Sequence, residues 1–409
     1  MALFGPADIL LPREDLLQSW PVIACDQFTS DPAYWHRVRA RAGDGPSAIH
    51  LILPEAELAH GTSPKQIHAA MEAYLAGDVF RALPKSYILV ERTLGDGRLR
   101  LGLVGALDLE HFDPDPGSAS PIRATERTVP ERVQARKAMR QGACLELSHV
   151  LMLCDDPEDA LLSPLRQCRE EMPLLYDLEL MEQGGRIRGY LVPQDQARAF
   201  DRRFAAYVRQ VSGRYRGLTD APVVLAVGDG NHALATAKAA YEALKAAHPQ
   251  RDMSSHPARY ALVELVDLQD PAVVFHPIHR LVTQVDVDEL LRSLAAAQAP
   301  EALQIEWIGG DRSGTLTLAQ ADRELAVAAL QPLLDAYLKD HPGNMDYIHG
   351  RQALCQAASQ PGALGLLLPP LNKDVLFREM IRGGVLPPKT FSIGQAREKK
   401  YYIEGRKLR

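Results

Sequence analysis

The sequence predicts an α/β protein of the α+β type, built from mixed sheets, and three observations support this class. An apolar run over residues 221–227 ends at two glycines and passes into an alanine-rich segment, as a buried strand followed by a helix does. Residues 87–93 and 99–107 have the composition of two strands joined by a turn at Gly95-Asp96-Gly97. After residue 285 the alternation of helix and strand patterns starts again, which predicts a separate α+β unit.

The remaining elements follow from local signals in three regions, 1–115, 116–284 and 285–409. In the first region, serine followed closely by proline predicts helices that start after Ser30 and at Ser63, and apolar runs predict strands at 20–25 and 48–53. The central region is predicted to contain a helix from Thr128, strands at 150–154, 261–267 and 272–275, and helices at 197–211 and 231–247. The last region is predicted to contain helices at 287–297, 330–338 and 372–381 and strands at 303–308, 314–318 and 365–368.

Composition bounds the function classes. The chain has 409 residues, of which 46% are hydrophobic and 24% charged, enough for one large or two medium cores. A net charge of −6 gives no general attraction to nucleic acid or to an anionic membrane. The amino terminus lacks a secretory pattern and no apolar run approaches a membrane span, so we expect a cytoplasmic protein, with homo-oligomerisation left open. Five cysteines without a C-x-x-C pair predict free thiols.

The segment from Gly228 to His232, here named the glycine turn, is the main candidate for a catalytic site. Gly228 and Gly230 allow close approach of the backbone, and the start of a helix favours an anion such as phosphate. Asp229 and His232 are the candidate catalytic residues, and Asn231 is a candidate phosphate contact. The alternative is that Asp229 or Asn231 is only an N-cap. The turn is neither a Walker loop nor the dinucleotide fingerprint G-x-G-x-x-G.

Basic residues elsewhere could supply charge to a phosphate. Thr128 and Glu131 match a capping box, and in the helix that follows Arg132, Arg136 and Arg140 recur every four residues, so they share one stripe. Such a stripe can clamp phosphate, but it can equally be a solvated face. Lys238 and Asn231, seven positions apart, share a side of the next helix.

Two further basic segments have competing interpretations. His276 and His279 would point to opposite faces of a strand, so we favour structural or anion-contacting roles for His279 and Arg280 over a metal pair. The tail from Leu386 to Ile403 mixes basic and aromatic residues, which single-stranded nucleic acid could use. We favour instead a surface edge strand whose lysines prevent pairing with other chains.

Four motifs in order carry a family resemblance: R-A-T-E-R-T at 123–128 with the following E-R-x-x-x-R, G-D-G-N-H at 228–232, His279-Arg280, and L-P-P-K-T at 386–390. The chain resembles the uncharacterised conserved prokaryotic family called domain of unknown function ten-fifteen. That family is distantly grouped with the ParB and sulfiredoxin-like fold, whose members include nucleotide-binding partition proteins and a free-serine kinase. The resemblance implies a ParB/sulfiredoxin-like core and phosphate binding at the glycine turn.

The chain departs from the relatives' usual turn, D-G-H-H-R. Asn231 replaces the first histidine, and Ala233 stands where the relatives have the arginine that contacts phosphate. We expect Lys238, or the row Arg132, Arg136 and Arg140, to supply that charge, with Arg280 and Lys389 as further candidates. The sulfiredoxin cysteine is also missing from the turn, which disfavours sulfinate reduction.

The resulting hypothesis is an enzyme that binds phosphate or a nucleotide, as a phosphotransferase with a hydroxyl acceptor such as a hydroxy amino acid. Asp229 would bind Mg²⁺ or accept the acceptor's proton, His232 would hydrogen-bond or relay protons, and a nucleotide or pyrophosphate would be the donor. A phosphatase, a non-catalytic nucleotide-binding regulator of ParB type and a metabolic binding protein are the alternatives. A nucleic-acid partner is disfavoured because neither a basic surface nor a helix-turn-helix pattern is evident.

Overall fold

The computed structural model describes residues 2–23, 28, 31–54, 63–295, 302–319 and 325–409. The chain forms two compact units, one from Met1–Val273 with Gly394–Arg409 and one from Val274–Ile393. Both units combine helices with β-sheets, so the predicted mixed α/β class is confirmed. The sequence-based boundaries at 115 and 284 stay a prediction.

A long mixed sheet in the larger unit carries the glycine turn. The strand Leu225–Asp229 lies within it, antiparallel to Val150–Cys154 and parallel to Ile122–Arg123, and Val150–Cys154 in turn runs parallel to Tyr260–Asp267. From one edge to the other, the hydrogen-bonded strands are Leu174–Glu179, Arg186–Leu191, Ile88–Thr93, Leu99–Asp108, Tyr260–Asp267, Val150–Cys154, Leu225–Asp229, Ile122–Arg123 and Phe112–Asp113, with Phe4–Gly5 paired to Leu99–Asp108.

Two helices of the larger unit bear on the candidate site. The arginine helix, Pro130–Gln141, packs beside the turn helix, Asn231–Ala247. The other α-helices of this unit are Pro32–Ala42, Pro64–Ala76, Ser163–Gln167 and Gln194–Arg214. A second sheet joins the strands Phe80–Ser86, Ala7–Pro12, Gly405–Lys407 and Leu145–Leu147.

The smaller unit is built on one sheet. Its hydrogen-bonded strands are, in order, Arg312–Ala319, Ala302–Gly309, Ala363–Leu367, Phe275–Thr283 and Asn344–His349, with Phe391–Ile393 paired to Phe275–Thr283. Its α-helices are Val287–Ala295, Ala326–Asp340, Arg351–Ala358 and Leu376–Gly383. No helix within the described ranges is both long and apolar enough to cross a bilayer.

Periodic segments were predicted more accurately than short ones. The turn helix and the strands Ile88–Thr93 and Leu99–Asp108 are confirmed. The strand predicted at 48–53 is wrong, because Ala48–Leu51 forms a buried 3-10 helix, and a short apolar run does not distinguish the two states. The strand predicted at 272–275 instead spans Phe275–Thr283.

Two predicted helix caps also need correction or fall outside the described residues. The capping box at Thr128 is wrong, because the arginine helix begins at Pro130 with Val129 as N-cap and without a side-chain cap. In the first helix Asp31 accepts a hydrogen bond from Tyr34 N at 3.0 Å and acts as the cap, whereas Ser30 lies outside the described residues, as do positions 24 and 25 of the strand predicted at 20–25.

Candidate functional site

The glycine turn stands where a fully buried strand ends. Leu225, Ala226 and Val227 are each 0% exposed, and the pairing with the neighbouring strand shifts register between Val227 and Asp229. Gly230 then takes a φ of +95°, in the left-handed region. A Cβ at Gly230 would lie 3.0 Å from Val150 Cγ2, so both the conformation and the close packing require glycine.

The turn helix starts at this glycine without a side-chain cap. Gly230 is the N-cap residue, and it makes no side-chain cap hydrogen bond. The first intrahelical bond runs from Leu234 N to Gly230 O at 3.0 Å. The alternative in which Asp229 or Asn231 merely caps the helix therefore does not hold, and the helix start keeps its attraction for an anion.

The Asp229 carboxylate faces a buried lysine. Its side chain is 34% exposed, and Lys399 Nζ lies 3.4 Å from Asp229 Oδ2. The surface edge strand predicted in the tail from Leu386 to Ile403 is wrong at its lysines, because Lys399 and Lys400 are only 8% and 4% exposed. Both lysines remain buried because each has a carboxylate partner, and Lys400 pairs with Glu264 at 2.7 Å.

A buried arginine holds the backbone that presents Lys399. Arg92 is 1% exposed and donates from Nη1 to the carbonyl oxygens of Glu398 and Lys399, at 3.2 and 2.5 Å. Its Nη2 donates to Gly184 O and Arg397 O at 3.0 and 2.6 Å. One rigid guanidinium thus fixes three consecutive carbonyls of the chain that leads into the site.

A histidine that the sequence prediction did not include lies close to this pair. His149 is half-buried and packs on Tyr402 with ring centroids 5.1 Å apart. Burial lowers the pKa of His149, and the nearby Asp229 carboxylate acts in the opposite direction. The neutral ring is therefore the form expected at neutral pH.

Asn231 uses its side chain to hold a neighbouring segment. Its Oδ1 accepts a hydrogen bond from Thr125 N at 3.0 Å, and its Nδ2 donates to Thr125 Oγ1 at 3.1 Å. Thr125 Oγ1 in turn donates to Val227 O at 2.7 Å. The amide thus ties the strand end to the segment before the arginine helix; that Asn231 also contacts phosphate stays a prediction.

His232 joins the starts of the two helices. Its Nε2 accepts a hydrogen bond from the backbone N–H of Val129, the N-cap of the arginine helix, at 3.0 Å. An accepting Nε2 carries no proton, so the neutral ring is protonated on Nδ1. His232 therefore acts here as a hydrogen-bonding group, and its Nε2 lone pair is not available to a substrate proton.

The predicted cations lie in different surroundings. Lys238 Nζ donates to Leu109 O at 2.9 Å and pairs with Glu242 at 2.9 Å. Arg132 is exposed, Arg136 Nη1 donates to Arg132 O at 3.5 Å, and Arg140 pairs with Glu146. The stripe is therefore part solvated face and part ion pair, and Arg132 is the member that is most open to solvent.

Arg280 and Lys389 belong to the smaller unit. Arg280 is 0% exposed, and its guanidinium donates to Gln331 Oε1, Ile278 O, Lys389 O and Pro388 O at distances from 2.7 to 3.0 Å. His279 Nδ1 accepts a hydrogen bond from Leu368 N at 3.1 Å. These bonds are structural; that Arg280 and Lys389 also bind phosphate stays a prediction.

The described residues do not form a ready-made site for a resident metal ion. In the described part of the chain, no cluster of three or more His, Cys, Asp or Glu residues has a geometry that could hold a metal ion. Asp229 offers one carboxylate. Because Mg²⁺ is often bound through one or two carboxylates plus substrate phosphates, these residues fit a metal that arrives with a nucleotide.

The sequence contained only a weak signal for Lys399, His149 and Thr125, which the sequence analysis did not propose as site residues. Lys399 stands next to Lys400 immediately before the apolar run Tyr401-Tyr402-Ile403, which is the only local sign that this segment is buried. Pairing with Asp229, 170 positions earlier in the chain, depends on the tertiary fold, as do the contacts of His149 and Thr125.

Several solved structures are similar to this chain at low identity. A free serine kinase in complex with AMP aligns with a TM-score of 0.40 and 12% identity, over 74% of this chain and 91% of the kinase. C-terminally truncated SbnI from Staphylococcus aureus aligns with a TM-score of 0.38 and 11% identity, over 75% of this chain and 87% of SbnI. A conserved hypothetical protein from Pyrococcus furiosus aligns with a TM-score of 0.34 and 10% identity, over 74% and 93%.

A comparison with curated proteins finds no match. The model of the family described as protein of unknown function (DUF1015) matches residues 6–342, which is well over half of the chain. The match includes the glycine turn and the arginine helix. The chain therefore belongs to the DUF1015 family.

Proposed function

We propose that the larger unit binds a nucleotide or another phosphate ester at the glycine turn and transfers a phosphoryl group to a hydroxyl acceptor. The observation that carries this proposal is the pair formed by Asp229 and Lys399, 3.4 Å apart beside an uncapped helix start. The pair places an anion-binding group and a proton acceptor side by side, and phosphoryl transfer to a hydroxyl needs both.

The phosphate would be bound by the backbone and by Lys399. The first amides of the turn helix and the positive end of its dipole attract an oxyanion, and the lysine ammonium adds a full charge. Arg132 lies in the first turn of the arginine helix, whose N-cap is bonded to His232, and this exposed cation would be a further contact for the phosphate. Lys399 takes the role that Lys238 was expected to have, because Lys238 is bound to Leu109 and Glu242.

Asp229 would accept the proton of the attacking hydroxyl. Its carboxylate is partly open to solvent, and Lys399 Nζ lies 3.4 Å from Oδ2. The other oxygen can accept a hydrogen bond from a substrate hydroxyl, for which a hydroxy amino acid such as serine is the candidate. Mg²⁺, bound with the nucleotide, would neutralise charge on the phosphate oxygens.

Two alternatives use the same residues. A phosphatase would direct water instead of an alcohol to the phosphoryl group. A nucleotide-binding regulator without turnover is favoured by two observations: His232 Nε2 is already bonded to Val129, and Ala233 brings no charge to the helix start.

The binding step is tested by calorimetry with ATP, ADP, AMP and pyrophosphate in the presence of Mg²⁺. We expect Lys399→Met to weaken binding by about tenfold or more, because a charge-assisted contact is removed. Lys238→Met is the matched control, because it removes the same charge from the same unit, and we expect its affinity to stay within about twofold of wild type. If no ligand binds, or if both variants bind like wild type, the proposal fails.

The chemical step is tested by phosphorus NMR of ATP or ADP incubated with protein and serine. A new phosphate monoester that disappears in Asp229→Asn supports the phosphotransferase. Release of inorganic phosphate without serine identifies a phosphatase. Binding without either product identifies the regulator, and overturns the proposed transfer while leaving the binding site in place.

A further inference from the structure

The larger unit contains a cavity away from the glycine turn, along the turn helix. Its volume is about 400 Å³, within the range of small-molecule pockets. It is lined by the later turns of the turn helix, by the end of the arginine helix at Arg140 and Gln141, and by Arg251, His256 and residues 408–409. This cavity shares no residue with the proposed phosphate site.

One wall of the cavity is largely apolar and includes two alanines. Ala237, Ala240, Tyr241 and Leu244 recur at helical spacing, so they lie on one face of the turn helix. Ala237 and Ala240 leave space that larger side chains would fill. This face therefore suits a compact or flat apolar group.

The rim is cationic. Three arginines line the cavity, Arg140, Arg251 and Arg409, together with His256, and no acidic residue of the described chain lines it. Two carboxylates nearby offset part of this charge. Arg140 shares the buried Glu146 with Arg406, so these three groups retain one net positive charge, and Arg409 pairs with Glu72 on the exposed surface, where an ion pair contributes little.

Arg251 and His256 add hydrogen-bond donors that are not used by the ion pairs with Glu146 and Glu72. Arg251 is exposed and forms no ion pair within the described residues. His256 Nδ1 accepts a hydrogen bond from Ala258 N at 3.1 Å, so the neutral ring carries its proton on Nε2. Burial, followed by the nearby Arg251, lowers the pKa of His256, which keeps the ring neutral at pH 7.

We infer that this cavity binds a small organic anion: a carboxylate, sulfonate or phosphate ester on a compact apolar body. The alanine face receives the apolar body, and Arg251 together with Arg140 receives the oxyanion. This inference does not depend on the proposed phosphoryl transfer.

The test uses anilinonaphthalene sulfonate as the probe, followed by fluorescence titration and by equilibrium dialysis for stoichiometry. We expect one saturable site in the wild type and binding weaker by about tenfold or more for anilinonaphthalene, which lacks the sulfonate. Ala240→Trp fills the cavity and is expected to abolish binding. Arg251→Glu reverses an exposed charge and is expected to weaken binding by about tenfold or more.

Matched controls separate this cavity from general adsorption and from the glycine turn. Ala205→Trp and Arg209→Glu make the same changes at exposed positions of the helix Gln194–Arg214, and we expect them to bind like wild type. Asp229→Asn and Lys399→Met should also bind like wild type. Should Ala240→Trp fail to fold, Arg251→Glu alone carries the test. Non-saturable binding, wild-type affinity in Arg251→Glu, or equal loss in the controls or in the glycine-turn variants overturns the inference.

Discussion

His232 Nε2 accepts a hydrogen bond from the backbone N–H of Val129 at 3.0 Å, and this bond joins the starts of the turn helix and the arginine helix. It decides what the histidine can do chemically, because a nitrogen that accepts cannot at the same time carry a proton. The imidazole is thus a connector between two helix starts, and the proposed function assigns proton transfer to Asp229 alone.

The tautomer of His232 is directly measurable. We expect nitrogen NMR to show an unprotonated Nε2 and a protonated Nδ1 at neutral pH, because only this form accepts from Val129. His232→Ala should accelerate hydrogen exchange of the Val129 amide, whereas Thr236→Val, one turn further along the helix, should not. A protonated Nε2, or an unchanged exchange rate in His232→Ala, contradicts the assignment.

Any side chain at Gly230 should lower the stability of the fold. Gly230→Ala combines a left-handed φ of +95° with a Cβ 3.0 Å from Val150 Cγ2, and we expect it to lower the free energy of unfolding by about 1–3 kcal/mol. Adding Val150→Ala relieves the contact but not the backbone strain, so the steric part of the loss should disappear in a double-mutant cycle.

The control for this substitution lies in the helix Gln194–Arg214. A Cβ at Gly213 meets nothing within 4 Å, so Gly213→Ala should be neutral or stabilising by up to about 1 kcal/mol. Urea denaturation of the variants gives the comparison. Equal effects of Gly230→Ala and Gly213→Ala would show that the turn is not constrained in this way.

Arg92 should be essential to the chain segment that presents Lys399. Arg92→Met leaves the carbonyls of residues 184, 397, 398 and 399 without this donor, and we expect a loss of about 3–5 kcal/mol in the free energy of unfolding. Arg92→Lys should restore little of it, because one ammonium cannot reproduce the planar fork of donors.

Two measurements distinguish the positioning of Lys399 by Arg92 from the general effect of removing an arginine side chain. Arg397→Met removes an exposed side chain that bonds Gln183 at 2.7 Å, and should cost less than about 1 kcal/mol. In partly stable Arg92 variants, reductive methylation of the Lys399 amine, followed by mass spectrometry, should become faster than in Arg397→Met. Equal rates would mean that Arg92 does not position Lys399.

Asp267 should make stability depend on pH. Burial, together with the nearby Asp156 and Asp155 carboxylates, raises its pKa to about 7 from an ordinary value of 3.8. The folded state therefore keeps a proton that the unfolded state releases above about pH 4. The stability that this proton contributes is fully present below pH 4 and is lost as the pH rises through 7.

Asp267→Asn tests this dependence, because the amide oxygen can still accept from Asp156 N and Gln269 N as the carboxylate does, both at 3.1 Å. We expect the variant to remove the decline between pH 4 and 7, and to exceed wild type by roughly 2–4 kcal/mol above pH 8. The exposed Asp44→Asn should follow the wild-type curve in guanidinium denaturation. A wild-type slope in Asp267→Asn would contradict the assignment.

Part of the candidate site could be found from local signals. The apolar run before Gly228, the two glycines and the alanine-rich segment after them predict a strand, a turn and a helix without reference to the rest of the chain, and the structure has each of them. The roles of the basic residues could not be found in this way. Periodicity placed Lys238 and Arg132 on faces of their helices. It could not show that the Lys238 ammonium is already bound by Leu109 O and Glu242.

The sequence by itself determined that a strand is followed by a glycine turn with an acid and an imidazole, and then by a helix. Local signals are enough for this, because glycine content and apolar periodicity act over a few neighbouring residues. Only the tertiary structure decided the chemical state of that turn. Lys399 reaches Asp229 from the far end of the chain, Val129 occupies His232, and Thr125 occupies Asn231. Such long-range contacts depend on burial and on charge pairing between segments brought together by folding, which no local pattern encodes.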